Sequence, residues 1–133
     1  MSVTLDTNVY VSALQYSSRS SHLLGMAQAN ILTIDISDQI EQELVRVLRE
    51  DFGWDGYRLR FLVERLRRLT NRVSPTRTVA VVDDPDDDRI IECALAGGSE
   101  YILTNDKALL RVGEYEGIKI MRTADFFALG RER

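Results

Sequence analysis

Short apolar runs alternate with segments of helical periodicity along the whole chain. The runs predicted as strands cover residues 3–5, 31–34, 79–82, 101–103 and 118–121. The predicted helices cover residues 9–14, 19–30, 37–50, 58–73, 87–96, a short stretch ending at 110, and 123–129. Strands that alternate with helices imply a mostly parallel sheet covered on both faces. The sequence therefore predicts an α/β fold with a five-stranded sheet, in one domain spanning residues 1–133.

Acidic residues follow several of the predicted strands. Asp6 ends the first strand, Asp87 lies in the acidic stretch after the third, and Asp106 follows the fourth. In parallel sheets, ligands bind beyond the carboxyl ends of the strands. Glu43 lies on an intervening helix, at the flank of its apolar stripe, near enough to join the other three. We therefore predict that these acids converge at one edge of the sheet.

The acidic stretch 83–88 contains five aspartates and Pro85, and it leads into a predicted helix. Proline suits the first turn of a helix, and acids there gain from the helix dipole. Asp86 and Asp88 are predicted to be capping acids that face solvent. Asp87 falls on the apolar side of the helix, at 100° per residue. An acid in that position needs water, a cation or hydrogen-bond donors.

Structural roles compete with catalytic ones at each of these acids. An N-cap explains Asp6 at least as well as catalysis does, and Glu43 on geometry alone is an ordinary solvent-edge glutamate. A calcium-binding EF-hand loop is excluded, because Arg89 stands where its glycine belongs and Leu95 where its glutamate belongs.

Composition restricts the remaining classes of protein. The chain is 44% hydrophobic and 29% charged, as globular domains are, and lacks an apolar run of membrane-spanning length. No leader sequence is visible, so a cytoplasmic location is expected. Cys93 is predicted to fill the core, and His22 has no catalytic constellation around it. The net charge of −4 argues against a protein that coats nucleic acid indiscriminately.

Four motifs together resemble those of PIN-domain ribonucleases, and especially toxin components of the VapC type. They are Leu5-Asp6-Thr7-Asn8-Val9, Glu43-Leu44, Asp84-Pro85-Asp86-Asp87-Asp88 and Leu103-Thr104-Asn105-Asp106. The resemblance implies a Rossmann-like α/β/α sandwich, with strand order 3-2-1-4-5, and an acidic site for Mg²⁺ or Mn²⁺. By the same resemblance, Asp6, Glu43, Asp87 and Asp106 form the acidic quartet, and Thr7, Asn8 and Thr104 are accessory polar residues. It further implies a homodimer and an antitoxin partner.

Crowded carboxylates also call for a cation on physical grounds. Two unit charges about 4 Å apart repel by about 4 kcal/mol at an effective dielectric of 20. Oxygen ligands favour hard ions such as Mg²⁺ and Mn²⁺, which activate water for displacement at phosphorus. The predicted function is therefore metal-dependent endonucleolytic cleavage of RNA. Whether Asp83, Asp84 or Asp88 shares the metal stays open.

A noncatalytic PIN-like module that binds RNA or protein is the alternative function. An aspartyl-phosphate phosphatase is disfavoured, because no second aspartate stands two residues after Asp6.

Arginines are concentrated in one predicted helix. Between residues 58 and 77 there are seven arginines and one acid, Glu64. A solvated outer helix face would explain them, since long charged side chains commonly cover helix surfaces. The other hypothesis is that Arg65, Arg68 and Arg72 guide RNA towards an acidic site that repels phosphates.

Overall fold

The computed structural model describes residues 1–16 and 18–131, and within them the strands form one sheet in the order β3-β2-β1-β4-β6-β5. The strands are β1 (Ser2–Leu5), β2 (Thr33–Ile36), β3 (Thr70–Arg72), β4 (Tyr101–Leu103), β5 (Glu114–Tyr115) and β6 (Ile118–Met121). The helices are α1 (Thr7–Gln15), α2 (Ser21–Gln28), α3 (Asp38–Phe52), α4 (Gly56–Leu69), α5 (Pro85–Gly97), α6 (Lys107–Val112) and α7 (Thr123–Arg131). All pairings are parallel except that of β5 with β6.

The predicted fold class is confirmed, with a short sixth strand added at one edge. The strand β1 lies between β2 and β4, and its Val3 and Leu5 are fully buried. Helix α3 buries Ile40, Leu44 and Leu48, which share one face at helical spacing. Cys93 is buried in the core, as predicted. None of the described helices is long and apolar enough to cross a membrane.

The predicted strand at residues 79–82 is wrong. The backbone N–H groups of Val81 and Val82 donate to Asp88 Oδ1, at 2.9 and 3.1 Å, and that of Val79 donates to Glu92 Oε2 at 2.9 Å. Carboxylates on α5 thus satisfy the donors that a sheet would otherwise pair. The segment lies against α5 instead of joining the sheet.

The strand next to β2 is Thr70–Arg72, which the sequence assigned to the end of a helix. Helix α4 stops at Leu69, and the Thr70 hydroxyl donates to the carbonyl of Leu66 in its last turn. Arg72 is therefore a strand residue and not part of the arginine-rich helix.

The expectation that Asp88 faces solvent is also wrong, because its carboxylate is turned towards Val81 and Val82 and only 4% of the residue is exposed. The helix cap is provided by Asp84, whose Oδ1 accepts from the N–H of Asp86 at 2.9 Å. Asp86 is exposed, as predicted for a solvated acid at the helix start.

A buried acid that sequence patterns do not reveal joins the sheet to α5. Asp35 on β2 accepts hydrogen bonds from Asn71 Nδ2 at 2.9 Å and from Ser99 Oγ at 2.6 Å. A Cβ atom at Gly97 would lie 2.5 Å from the Asp35 carboxyl carbon. Only glycine lets the end of α5 approach this carboxylate, so the contact fixes how α5 lies on the sheet.

We expect Asp88→Ala to lower the free energy of unfolding by about 1–3 kcal/mol, because two backbone donors lose their acceptor. Asp88→Asn keeps an acceptor oxygen and should cost less. The measurement is urea denaturation, with Asp83→Ala at an exposed neighbouring acid as the control. Equal stability of Asp88→Ala and Asp83→Ala would show that Asp88 does not hold the 79–82 segment.

Candidate active site

Two of the predicted acids leave the sheet side by side. Leu5 on β1 is paired with Leu103 on β4, and the N–H of Asp6 donates to the Leu103 carbonyl at 3.0 Å. The Thr104 hydroxyl donates to Asp6 Oδ2 at 2.6 Å and accepts from the N–H of Asp106 at 2.9 Å. Thr104 thereby fixes Asp6 and the turn that carries Asp106.

Asp6 and Asp106 both precede helices, but their carboxylates do different things. Asp6 occupies the N-cap position of α1 without making a side-chain capping hydrogen bond. Asp106 does cap α6, because its Oδ1 accepts from the N–H of Leu109 at 3.0 Å. Burial raises the pKa of Asp6, the Thr104 hydrogen bond opposes that rise, and the charge of Asp106 adds to it. The buried Asp6 carboxylate therefore has little structural role as a cap.

Asp87 comes from the first turn of α5 and completes this group. The pKa of Asp87 is raised to about 7, first by burial and then by the charges of Asp106, Asp6 and Asp84. A side-chain hydrogen bond with Asp106 favours the protonated form further. At pH 7 about half of the Asp87 carboxyls therefore hold a proton that an isolated aspartate would have lost. Among Asp83, Asp84 and Asp88, the charge of Asp84 contributes to the raised pKa of both Asp6 and Asp87.

Glu43 forms its side-chain hydrogen bonds with Arg46 and not with this group. Its Oε1 lies 2.6 Å from Arg46 Nη2 and its Oε2 lies 3.1 Å from Arg46 Nε. Both residues border a groove of about 380 Å³ that Thr7 and Asp86 also line. The signal for the ion pair was available in the sequence, since Arg46 stands three residues after Glu43 and four before Glu50.

The accessory polar residues are divided between the two regions. Thr104 contacts Asp6 directly, whereas Thr7 is buried and lines the groove towards Glu43. Asn8 and Asp83 are exposed.

The predicted RNA-guiding arginines lie apart from the acids. Arg65 and Arg68 border a depression together with Asn30, which precedes β2, and Arg68 itself precedes β3. They are therefore at the amino ends of the strands, whereas the acids follow the carboxyl ends. Arg72 is already paired, at 3.0 Å with Asp38 and at 2.6 Å with Glu41.

The acidic group suits a hard divalent cation. Its donors are carboxylate oxygens, the ligands that Mg²⁺ and Mn²⁺ favour. Burial and the neighbouring negative charges raise the pKa of Asp87, and a bound cation would oppose that rise. Among residues 1–16 and 18–131, no three acidic, histidine or cysteine side chains already converge closely enough to enclose an ion. A cation bound there would replace the proton that the raised pKa of Asp87 favours.

Comparisons with known proteins identify the family and the fold. Residues 2–108 match the family model described as PIN domain. A solved structure with a similar fold is described as VapBC2 from Rickettsia felis bound to a DNA fragment from their promoter. Its TM-score is 0.62 at 14% sequence identity, over 90% of this chain and 97% of that one. No curated protein matches the sequence.

We expect the stability of the metal-free protein to fall as pH rises from about 4 to about 7. Over that range the unfolded chain releases the Asp87 proton while the folded protein keeps it, so rising pH favours unfolding. Asp87→Asn cannot titrate and should flatten this dependence. Thermal melts in EDTA across this pH range test the prediction, with Asp83→Asn as the exposed control. Identical pH dependence in the parent and Asp87→Asn would contradict it.

Proposed function

The chain belongs to the PIN-domain family, and on that premise we propose that it is a metal-dependent endoribonuclease that hydrolyses RNA phosphodiester bonds. PIN domains are generally nucleases. The observation that carries the proposal is the raised pKa of Asp87, which burial and the charges of Asp106 and Asp6, the acids that follow β4 and β1, bring to about 7. A cation would stabilise a cluster of carboxylates like this one. Capping does not explain Asp6, because its side chain makes no capping hydrogen bond to α1.

The proposed roles follow from what each side chain contacts. Asp6, Asp87 and Asp106 would hold Mg²⁺ or Mn²⁺, and Thr104 keeps Asp6 oriented through its hydroxyl. When bound, the cation would supply the positive charge that activates water and stabilises the leaving oxygen. No side-chain nucleophile is required.

Glu43 would complete the acidic quartet from across the groove. In the structure its carboxylate is paired with Arg46, and Arg46 is also paired with Glu50. Exposed ion pairs of this kind contribute little to stability, so Glu43 can exchange Arg46 for another positive partner. Thr7 follows Asp6 in the sequence and lines the same groove as Glu43, so it would help to position the acids, and Asn8 beside it is proposed as an accessory residue.

We also propose that the protein is the toxin of a VapBC-type pair, acting in the cytoplasm as a homodimer with a cognate antitoxin. The similar structure from Rickettsia felis is described as a VapBC2 complex. The acidic edge of the present chain offers carboxylates that an arginine of a partner could bind bidentately. Such a partner would satisfy the same need for positive charge that the cation does.

A noncatalytic PIN-like module that binds RNA or protein remains the second candidate. The pairing of Glu43 with Arg46 favours it, because both oxygens of that carboxylate are occupied.

Asp6→Asn should abolish cleavage without loss of folding, because asparagine has nearly the same size but no charge to hold a cation. Asp87→Asn should do the same. Asp88→Asn is the matched control, since the Asp88 carboxylate faces backbone N–H groups and not the other acids. The measurement is cleavage of a panel of structured RNAs with Mg²⁺, Mn²⁺ or EDTA.

Cleavage that persists in EDTA, or an Asp6→Asn protein as active as its parent, would refute the metal mechanism. Complete inactivity of the folded parent with both cations would favour the noncatalytic module.

Association with a partner is expected to block the acidic edge. Expression together with the adjacent reading frames should yield a copurified protein that contributes a basic side chain, and light scattering should give a particle at least twice the 15.2 kDa chain mass. A particle of one chain that copurifies with nothing would contradict the toxin–antitoxin assignment while leaving the nuclease proposal open to its own test.

A further inference from the structure

Two aromatic side chains stand exposed on the outer side of α4. Tyr57 is 80% and Phe61 is 69% exposed, whereas Leu59, Leu62 and Leu66 on the opposite side are buried. A spacing of four residues puts the two rings one above the other, about 6 Å apart along the helix axis. Exposed apolar rings grouped in this way are typical of a surface that binds another molecule.

Arginines continue the same row of side chains. At 100° per residue, Arg68 falls between Tyr57 and Phe61, directly away from the core, and Arg65 falls at the flank of the same side. Of the salt bridges formed within residues 1–16 and 18–131, none includes Arg65 or Arg68. Helix α4 contains five arginines and a single acid, Glu64. The surface is therefore positive, although the chain as a whole is negative.

The row ends in a depression suited to a phosphate group. Arg65 and Arg68 line this depression of about 400 Å³ together with the amide side chains of Gln28 and Asn30. Guanidinium and amide N–H groups are donors that match phosphate oxygens. Residues of α2, α4 and the turn before β2 thus line one depression with side chains that can donate hydrogen bonds.

The acidic edge cannot by itself attract RNA. Asp6, Asp84, Asp87 and Asp106 are mutually repulsive, and they repel phosphates for the same reason. Affinity for a polyanion must therefore come from a positive surface elsewhere on the protein. The α4 face supplies charge of the required sign at the opposite edge of the sheet.

We propose that the α4 face, formed by Tyr57, Phe61, Arg65 and Arg68, binds an unpaired segment of RNA outside the acidic site. Bases stack on the two rings, and phosphates contact the two arginines. This inference rests on the proposed function, because it takes RNA to be the substrate. An amphipathic protein helix fits the row less well: it requires a continuous apolar stripe, and the apolar side chains here give way to Arg65 after two turns.

The test is the affinity for a fluorescent, unstructured RNA of about 20 nucleotides, longer than the usual single-strand footprint. Anisotropy is measured in EDTA, so that no cleavage occurs, at several salt concentrations. Arg65→Glu with Arg68→Glu should weaken binding and reduce the slope of log affinity against log salt by about 1.4. Tyr57→Ala with Phe61→Ala should weaken binding about fivefold or more with the slope unchanged.

Matched controls separate this surface from general effects of charge and polarity. Arg111→Glu with Lys119→Glu makes the same charge change at exposed residues elsewhere, and Ile31→Ala with Leu129→Ala removes two other exposed apolar side chains. All of the altered residues lie at the surface, and circular dichroism checks that each variant is folded. Both control proteins should keep the slope of the parent, and the second should keep its affinity.

The outcomes distinguish the inference from the proposed function. Parental affinity and salt slope in both α4 variants, or a parent that binds no RNA at low salt, would overturn the inference. It would also be overturned by α4 variants that bind RNA normally but lose a copurifying protein. A parent that binds RNA through α4 yet cleaves none with Mg²⁺ or Mn²⁺ would refute the proposed function and support the inference.

Discussion

The register between β1 and β4 is the constraint on which the acidic site depends. Leu5 is paired with Leu103, so the next residues along the two strands, Asp6 and Thr104, leave the sheet together and form a hydrogen bond. Asp106 follows two residues later, in a turn that the same threonine holds. A slip of one residue would reverse the direction of every side chain on β1 and exchange the buried positions of Thr4 and Leu5, which pack on opposite faces of the sheet. The hydrophobic core thereby sets the geometry of the polar site.

Neighbouring aspartates on α5 show how the environment decides the role of a carboxylate. Asp88 receives two backbone hydrogen bonds and holds the 79–82 segment, whereas Asp87 faces Asp6 and Asp106 and retains its proton to about pH 7. Consecutive helix positions differ in direction by 100°, which is enough to separate donors from like charges. The first arrangement stabilises the fold and the second opposes it. The charged form of Asp87 therefore lowers the free energy of unfolding of the metal-free protein, a cost that is common at functional sites.

Sequence patterns predict those features that are local in the chain. The periodicity of α3 and the turns after β1 and β4 are local, and so are the acids that begin α5. The 79–82 segment has the apolar composition of a strand. Its backbone N–H groups instead donate to carboxylates of α5, and the pattern of apolar residues in the sequence does not predict these hydrogen bonds. The strand Thr70–Arg72 can be polar because it lies at the edge of the sheet, where its side chains are not fully buried. Asp35 is satisfied by Asn71 and Ser99, which are distant in sequence, so nothing near it reveals that it is buried.

The distribution of charge limits how the proposed nuclease could select its substrate. Acids collect at the carboxyl ends of the strands, while Arg65 and Arg68 lie at the amino ends. Affinity and chemistry would then come from opposite edges of one small domain. Tyr57 and Arg68 alone are about 16 Å apart along α4, so an RNA that uses both edges must extend well beyond the bond that is cleaved. Selection would rest on the length and the unpaired state of the flanking RNA, because stacking and phosphate contacts carry little base specificity.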